Sequence, residues 1–236
     1  METFTFLGRN HNNFDYLVKS AHAFSFSEAA RMGTVPVPRG TKEVIMWFPN
    51  PAANLNEEVR IPNQVAAMVL MRNALSKYDQ KVVPDVYGWA SDDSGFSWIM
   101  QEYMGGDTLS DLASLNPDNQ KQLLSQAASI FKAIQDYQLP ERIKAFGGLN
   151  FDAEGNVIAG PMPIDSGGPF SKFEDMYKAL LPKQMDLASQ CPVIADRKAN
   201  GLEERLNNFL QSNQIERIVT GLSTTRKTLV HGYFSK

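Results

Sequence analysis

The chain has 236 residues, of which 43% are apolar and 21% charged, with a formal net charge of −3. That is enough apolar material for one large domain or two small lobes, and it excludes global disorder. The acidic balance and the scatter of its basic residues, with Arg226-Lys227 the densest late pair, supply no electrostatic footprint for nucleic acid. Cys191 is the single cysteine, so neither an intrachain disulfide nor a cysteine-rich zinc site can form, which fits a reducing compartment. The opening METFTFLGRNHNNFD lacks the basic start and apolar run of a secretory signal. The longest apolar run, Val65 to Met71, is too short to span a bilayer. The expectation is a cytoplasmic protein with no membrane association.

In chain order, Lys42 to Pro49 reads as a buried strand, because Val44-Ile45-Met46-Trp47-Phe48 is continuous and apolar and prolines stop it. A polar loop, Ala52 to Glu58, follows. Pro62 sits where a helix can begin, and Val65, Met68, Arg72 and Leu75 recur at helical spacing behind it. Val82 to Ala90 and Phe96 to Met104 read as two strands joined by Ser91-Asp92-Asp93-Ser94-Gly95, a hairpin.

Gly105-Gly106 then marks a change of character and the natural boundary, with a sheet-rich part over 1–104 and a helix-rich part over 105–236. Asn116-Pro117 caps a predicted helix whose Leu123, Leu124, Ala127, Ile130, Phe131, Ile134 and Tyr137 form one broad apolar face, read as core. Asp152-Ala153-Glu154-Gly155-Asn156 is a turn between short apolar segments, a second hairpin. Ser166-Gly167-Gly168-Pro169 reads as a loop. Helices are expected over Lys172 to Ser189 and Leu202 to Leu210, and Thr228 to Phe234 as a strand and turn. Asp107 suits a helix N-cap, while Asp165 and Asp186 have no partner in sequence that would make them a metal site.

Val59-Arg60-Ile61-Pro62-Asn63-Gln64-Val65-Ala66-Ala67-Met68 and Val83-Pro84-Asp85-Val86-Tyr87-Gly88-Trp89 resemble the helix and the next strand of the fungal aminoglycoside phosphotransferase-like proteins, a family with the bilobal protein kinase-like fold. Trp98-Ile99-Met100-Gln101-Glu102-Tyr103-Met104-Gly105-Gly106 resembles the strand and hinge, and Leu229-Val230-His231-Gly232 the strand entering the catalytic loop. Phe146-Gly147-Gly148-Leu149 and Gly167-Gly168-Pro169 fall in the same order. The resemblance covers roughly Lys42 onward and implies an α/β (α+β) fold with a sheet-rich N-lobe and an incomplete helical C-lobe.

The resemblance implies ATP between the lobes, with adenine against Glu102, Tyr103 and Met104, and magnesium at the phosphates. Phosphoryl transfer needs a cation on the third strand, a helix Glu to orient it, a catalytic Asp after His-Gly, then an Asn and a metal-binding Asp. Here Trp47 falls at the cation position, with Lys42 nearby, and Gln64 at the Glu position. Tyr233 stands in place of the Asp after His231-Gly232, and a phenol is a poor general base at neutral pH. The Asn and the metal Asp have no counterpart, so the magnesium site is expected to be missing. Gly33 and Gly40 lack the spacing of a phosphate loop.

The resemblance thus implies a phosphotransferase-like chain cut off at its chemistry and inactive as written. The alternatives are an active small-molecule phosphotransferase with further sequence downstream, a non-catalytic scaffold that keeps a nucleotide or small molecule, and a remnant of a longer gene. A protein partner covering the incomplete C-lobe is a further expectation. His231 either orients a catalytic loop or bonds nearby backbone, and Trp47 either fills an emptied nucleotide pocket or is ordinary core.

Overall fold

The computed structural model describes residues 2–9, 12–24, 31–53, 55–78, 81–91, 96–106, 112–164, 167–191, 200–220 and 227–230. It is a mixed α/β structure. Strands β1 (Glu2–Arg9), β2 (Asn13–Ser20), β3 (Glu43–Pro49), β4 (Val86–Ala90) and β5 (Trp98–Glu102) form one five-stranded antiparallel sheet in the order β1-β2-β3-β5-β4. Helix α1 (Glu57–Ala74) connects β3 to β4. The β1–β2 hairpin was not among the expected elements. Its signal is the alternation of Thr3, Phe4, Thr5 and Phe6, a period of two, which places Phe4 and Phe6 on one face opposite Val18 and Tyr16.

Helix α1 begins earlier than Pro62. Asn56 caps it by accepting from the Val59 amide, and Glu57 and Glu58 lie in the first turn, where carboxylates offset the helix dipole. Pro62 therefore sits inside the helix, still close to the end where the first backbone amides have no helical acceptor. Of the expected face, Val65, Met68 and Leu75 are buried. Arg72 lies at its edge, donating to the Asp85 carboxylate at 3.0 Å and the Gly33 carbonyl at 3.2 Å.

Beyond Gly106, α2 (Pro117–Asp136) starts as expected, with Asn116 accepting from the Asn119 amide at 2.9 Å. Strands β6 (Gly148–Phe151) and β7 (Val157–Gly160) form the second hairpin. Asp152 Oδ1 accepts from the amides of Glu154 and Asn156 and so closes the turn. Helices α3 (Phe173–Ser189), α4 (Leu202–Gln211) and α5 (Gln214–Thr220) follow, and Lys178 of α3 pairs with Glu216 of α5. No helix among the described residues is long and apolar enough to cross a membrane.

Two buried clusters draw on both sides of Gly105-Gly106. One joins Ile61, Val65 and Met68 of α1 to Val86, Ile99 and Ile134; the other joins Ala66 and Leu70 of α1 to Ile143 and Val157. Helix α1 is thus sandwiched between the large sheet and the β6–β7 hairpin, where Asn63 Oδ1 accepts the Leu149 amide at 2.6 Å. Gly148 is required at this contact, since a Cβ there would lie 2.1 Å from the Pro161 carbonyl oxygen.

Two expectations need correction. The α2 stripe is core only in part: Ile134 is buried and Ile130 and Tyr137 pack half-buried against the core clusters, but Leu124 is 54% exposed. Residues 227–230 are not a strand. That segment is held by Thr228 Oγ1 donating to the Gln135 carbonyl at 2.9 Å, by Leu229 against the core clusters, and by Lys227 over the Phe146 ring.

Candidate functional site

The residues expected to form a nucleotide cleft lie on the α1 side of β3 and at the end of β5. Alternation along β3 puts Ile45 and Trp47 on the face toward α1 and Val44 and Met46 on the other. Trp47 stands between Asp15 of β2 and Ile99 of β5 and packs against the cluster that contains Ile61 and Val65. It is a packing residue at a position where a phosphate-binding cation would have to reach into open space.

Gln64 is not free to take the place of a cation-orienting carboxylate. Its Oε1 accepts from Arg60 Nη1 at 3.3 Å. Arg60 is 6% exposed and is held on three sides. Nε donates to Glu57 Oε2 at 2.8 Å, Nη1 donates to Asn13 Oδ1 at 2.8 Å, and Nη2 lies 2.6 Å from the same Glu57 oxygen as an ion pair without hydrogen-bond geometry. A guanidinium presents several donors in a rigid fork, which lets one side chain bridge α1 to β2. This clamp was not anticipated. Glu57 and Gln64 flank Arg60 at helical spacing, but the Asn13 contact spans 47 residues and has no sequence signature.

Asp15 adds a carboxylate to the same face. Its Oδ1 is buried with no hydrogen-bond partner among the described residues, and burial raises its pKa above the ordinary range.

At the other end, Glu102 is tied into a charge network. Its Oε2 accepts the Asp85 amide at 3.0 Å and lies 2.7 Å from Lys81 Nζ, which also donates to Asp85 Oδ2 at 2.6 Å. Burial pushes the Lys81 ammonium down, but its bonds to the Asp85 and Glu102 carboxylates outweigh it and the net shift is upward. The Glu102 amide donates to the Asp85 carbonyl at 2.8 Å. Glu102 therefore fastens β5 to the start of β4. Tyr103 is half-buried and Met104 exposed, and they run directly into Gly105 and Gly106. Since Val44 pairs with Glu102, the Glu102 end lies three residues along β3 from Trp47, or about 10 Å at strand rise. His231 and Tyr233 lie outside the described residues, as do Asp107 and Asp165.

No family model matches the chain, and comparisons with curated proteins and with solved structures found no match.

The face around Trp47 does not fit a nucleoside triphosphate. The indole of Trp47 carries no charge, Arg60 is already bonded to Glu57, Asn13 and Gln64, and Asp15 would repel a phosphate when ionised. Among the described residues no three His, Cys, Asp or Glu side chains group as a metal site. A cavity of about 560 Å³ lies on the opposite face of the sheet, lined by Phe4, Val18, His22, Val44, Met46 and Met100 among others. None of the expected cleft residues lines it. It is open and mostly apolar, and no lysine or arginine lines it.

Proposed function

We propose that this chain is a kinase-like module of the aminoglycoside phosphotransferase type that keeps the frame of the nucleotide lobe but does not transfer phosphate. The observation that carries the reading is the pair Trp47 and Gln64: one is packed into an apolar cluster, the other is engaged by Arg60. A third-strand cation paired with a helix carboxylate is what phosphoryl transfer requires at these positions.

Three further observations support it. The β1–β2 hairpin, strand β3, helix α1 and the β4–β5 pair occur in the order such a lobe requires, with the cation strand third and the orienting helix next. The β1–β2 connection runs Arg9-Asn10-His11-Asn12, without the glycines that let backbone amides close on phosphates. Tyr233 stands where the acceptor hydroxyl would need a carboxylate base.

The test has two arms. Purified chain given magnesium and ATP should release no ADP above the blank, and ATP should not raise its Tm. The variant W47K/Q64E should acquire an ATP-dependent rise in Tm measured against the same variant without ATP, because ligand bound only to the folded state stabilises it. Magnesium-dependent ADP release that follows the protein through purification would overturn the inactivity. A double variant that still ignores ATP would overturn the cleft.

A further inference from the structure

The two edges of the large sheet are treated differently. At the β4 edge the segment before β3 crosses over, with the Val35 amide donating to the Val86 carbonyl at 2.9 Å. At the other edge β1 pairs with β2 alone among the described residues. Strand β1 is eight residues long, and Phe4, Phe6 and Leu7 are 62%, 53% and 52% exposed. It has no lysine or proline, and its only irregularity is a bulge between Phe6 and Gly8. A long, exposed, apolar edge is a template for another strand.

The order of residues along β1 identifies that strand. The register against β2 puts Glu2, Phe4 and Phe6 on one face, opposite Ser20, Val18 and Tyr16. The bulge at Leu7 then shifts parity, so Arg9, opposite Phe14, returns to that same face. Thr3, Thr5 and Gly8 take the other face. Read in reverse, the first face runs Arg9, Phe6, Phe4, Glu2, and the second runs Gly8, Thr5, Thr3. The strand is therefore complementary to its own antiparallel copy.

We propose that β1 is a homodimer edge, on which two copies of this chain pair antiparallel about a two-fold axis through Thr5 and join their sheets. In that register Phe4 stands opposite Phe6 of the second copy, Thr5 opposite Thr5, and Glu2 opposite Arg9 at both ends. Aromatic and opposite-charge neighbours across a strand pair are favourable, and a two-fold interface satisfies both ends with one arrangement. One strand pair is a small interface, so the dimer forms in a concentration-dependent manner. The proposal does not depend on the phosphotransferase reading.

Sedimentation equilibrium over about 1 µM to about 1 mM protein should show the mass rising from that of the 26.3 kDa chain toward twice that value. E2R and R9E each place like charges opposite one another at both ends of the pair, and each should weaken association by about tenfold. The double variant E2R/R9E should restore it. In a C191S background, T5C should form a disulfide dimer on mild oxidation, because directly opposed Cα atoms lie within bridging distance, whereas T3C should not. Both substituted threonines are exposed, so folding is not at stake. A chain that stays monomeric throughout with no T5C cross-link overturns the proposal, as does a monomer that captures a foreign extended peptide on β1 instead. A dimer indifferent to both charge reversals, or T3C cross-linking as readily as T5C, overturns the interface and its register.

Discussion

Helices α1 and α2 are close in length, 18 and 20 residues, yet seven residues of α1 are buried and only Ile134 of α2 is. The clean apolar stripe belongs to α2, the less buried of the two. Helix α1 has a blurred pattern because it is covered on two sides, by the large sheet and by β6–β7, so apolar residues occur around much of its circumference. A sharp stripe reports one apolar face, not whether anything covers it. In this molecule the centre of stability is α1 with its two sheets.

The comparison breaks most visibly at matched leucines. Leu70 of α1 is 1% exposed and packs with Ala66, Ile143 and Val157, so Leu70→Ala leaves a cavity where two layers meet. It should cost about 2–5 kcal/mol in urea unfolding, whereas Leu124→Ala on α2 should stay within about 0.5 kcal/mol. Equal losses at the two sites would mean that α2 has cover not accounted for by the described residues.

A smaller effect is expected at the Arg60 clamp. Arg60→Ala removes three bonds at once and strands Glu57, whose side chain is 17% exposed, at the start of α1. The loss should be about 2–3 kcal/mol, because part of the cost is the carboxylate left without its cation. Hydrogen exchange should quicken in β2 as well as at the start of α1, since Arg60 joins them through Asn13. A loss confined to α1 would reduce the clamp to a local helix contact.

What the sequence made legible follows the range of the signals. The run Val44 to Phe48, the cap Asn116-Pro117 and the turn Asp152 to Asn156 each act within a few residues, and each element was found. Pro62 suits a helix start, but Asn56-Glu57-Glu58, an Asn cap with two carboxylates behind it, is the stronger start chemistry and sets the true one. The hairpin β1–β2 lacks a glycine at its tip and so has no strong turn signal, and α5 is short. At the site, the identities of Trp47 and Gln64 argue against a cation–carboxylate pair without any structure. That Arg60, the partner of Gln64, is also held by Asn13, and that Asp15 stands beside Trp47, depends on β2 lying next to α1 and β3, long-range placements with no local signature.

The smallest expected effect separates two carboxylates of opposite character. Asp15 is pushed up from its ordinary value of 3.8 by burial, so the folded state holds its proton more tightly than the unfolded chain does. Stability tied to Asp15 is then present in acid and lost as pH rises from about 4 through its raised folded value. Asp152 is lowered from 3.8, chiefly by the Asn156 amide, so its contribution is present above that value and lost as pH falls through the lowered one. Thermal unfolding of Asp15→Asn should therefore gain on the parent chain as pH rises above about 4. Asp152→Ala should instead trail the parent most at neutral pH and close the gap in acid. If Asp15→Asn shows no pH-dependent gain, Asp15 finds a partner in solution, and the face beside Trp47 is less hostile to an anion than its geometry implies.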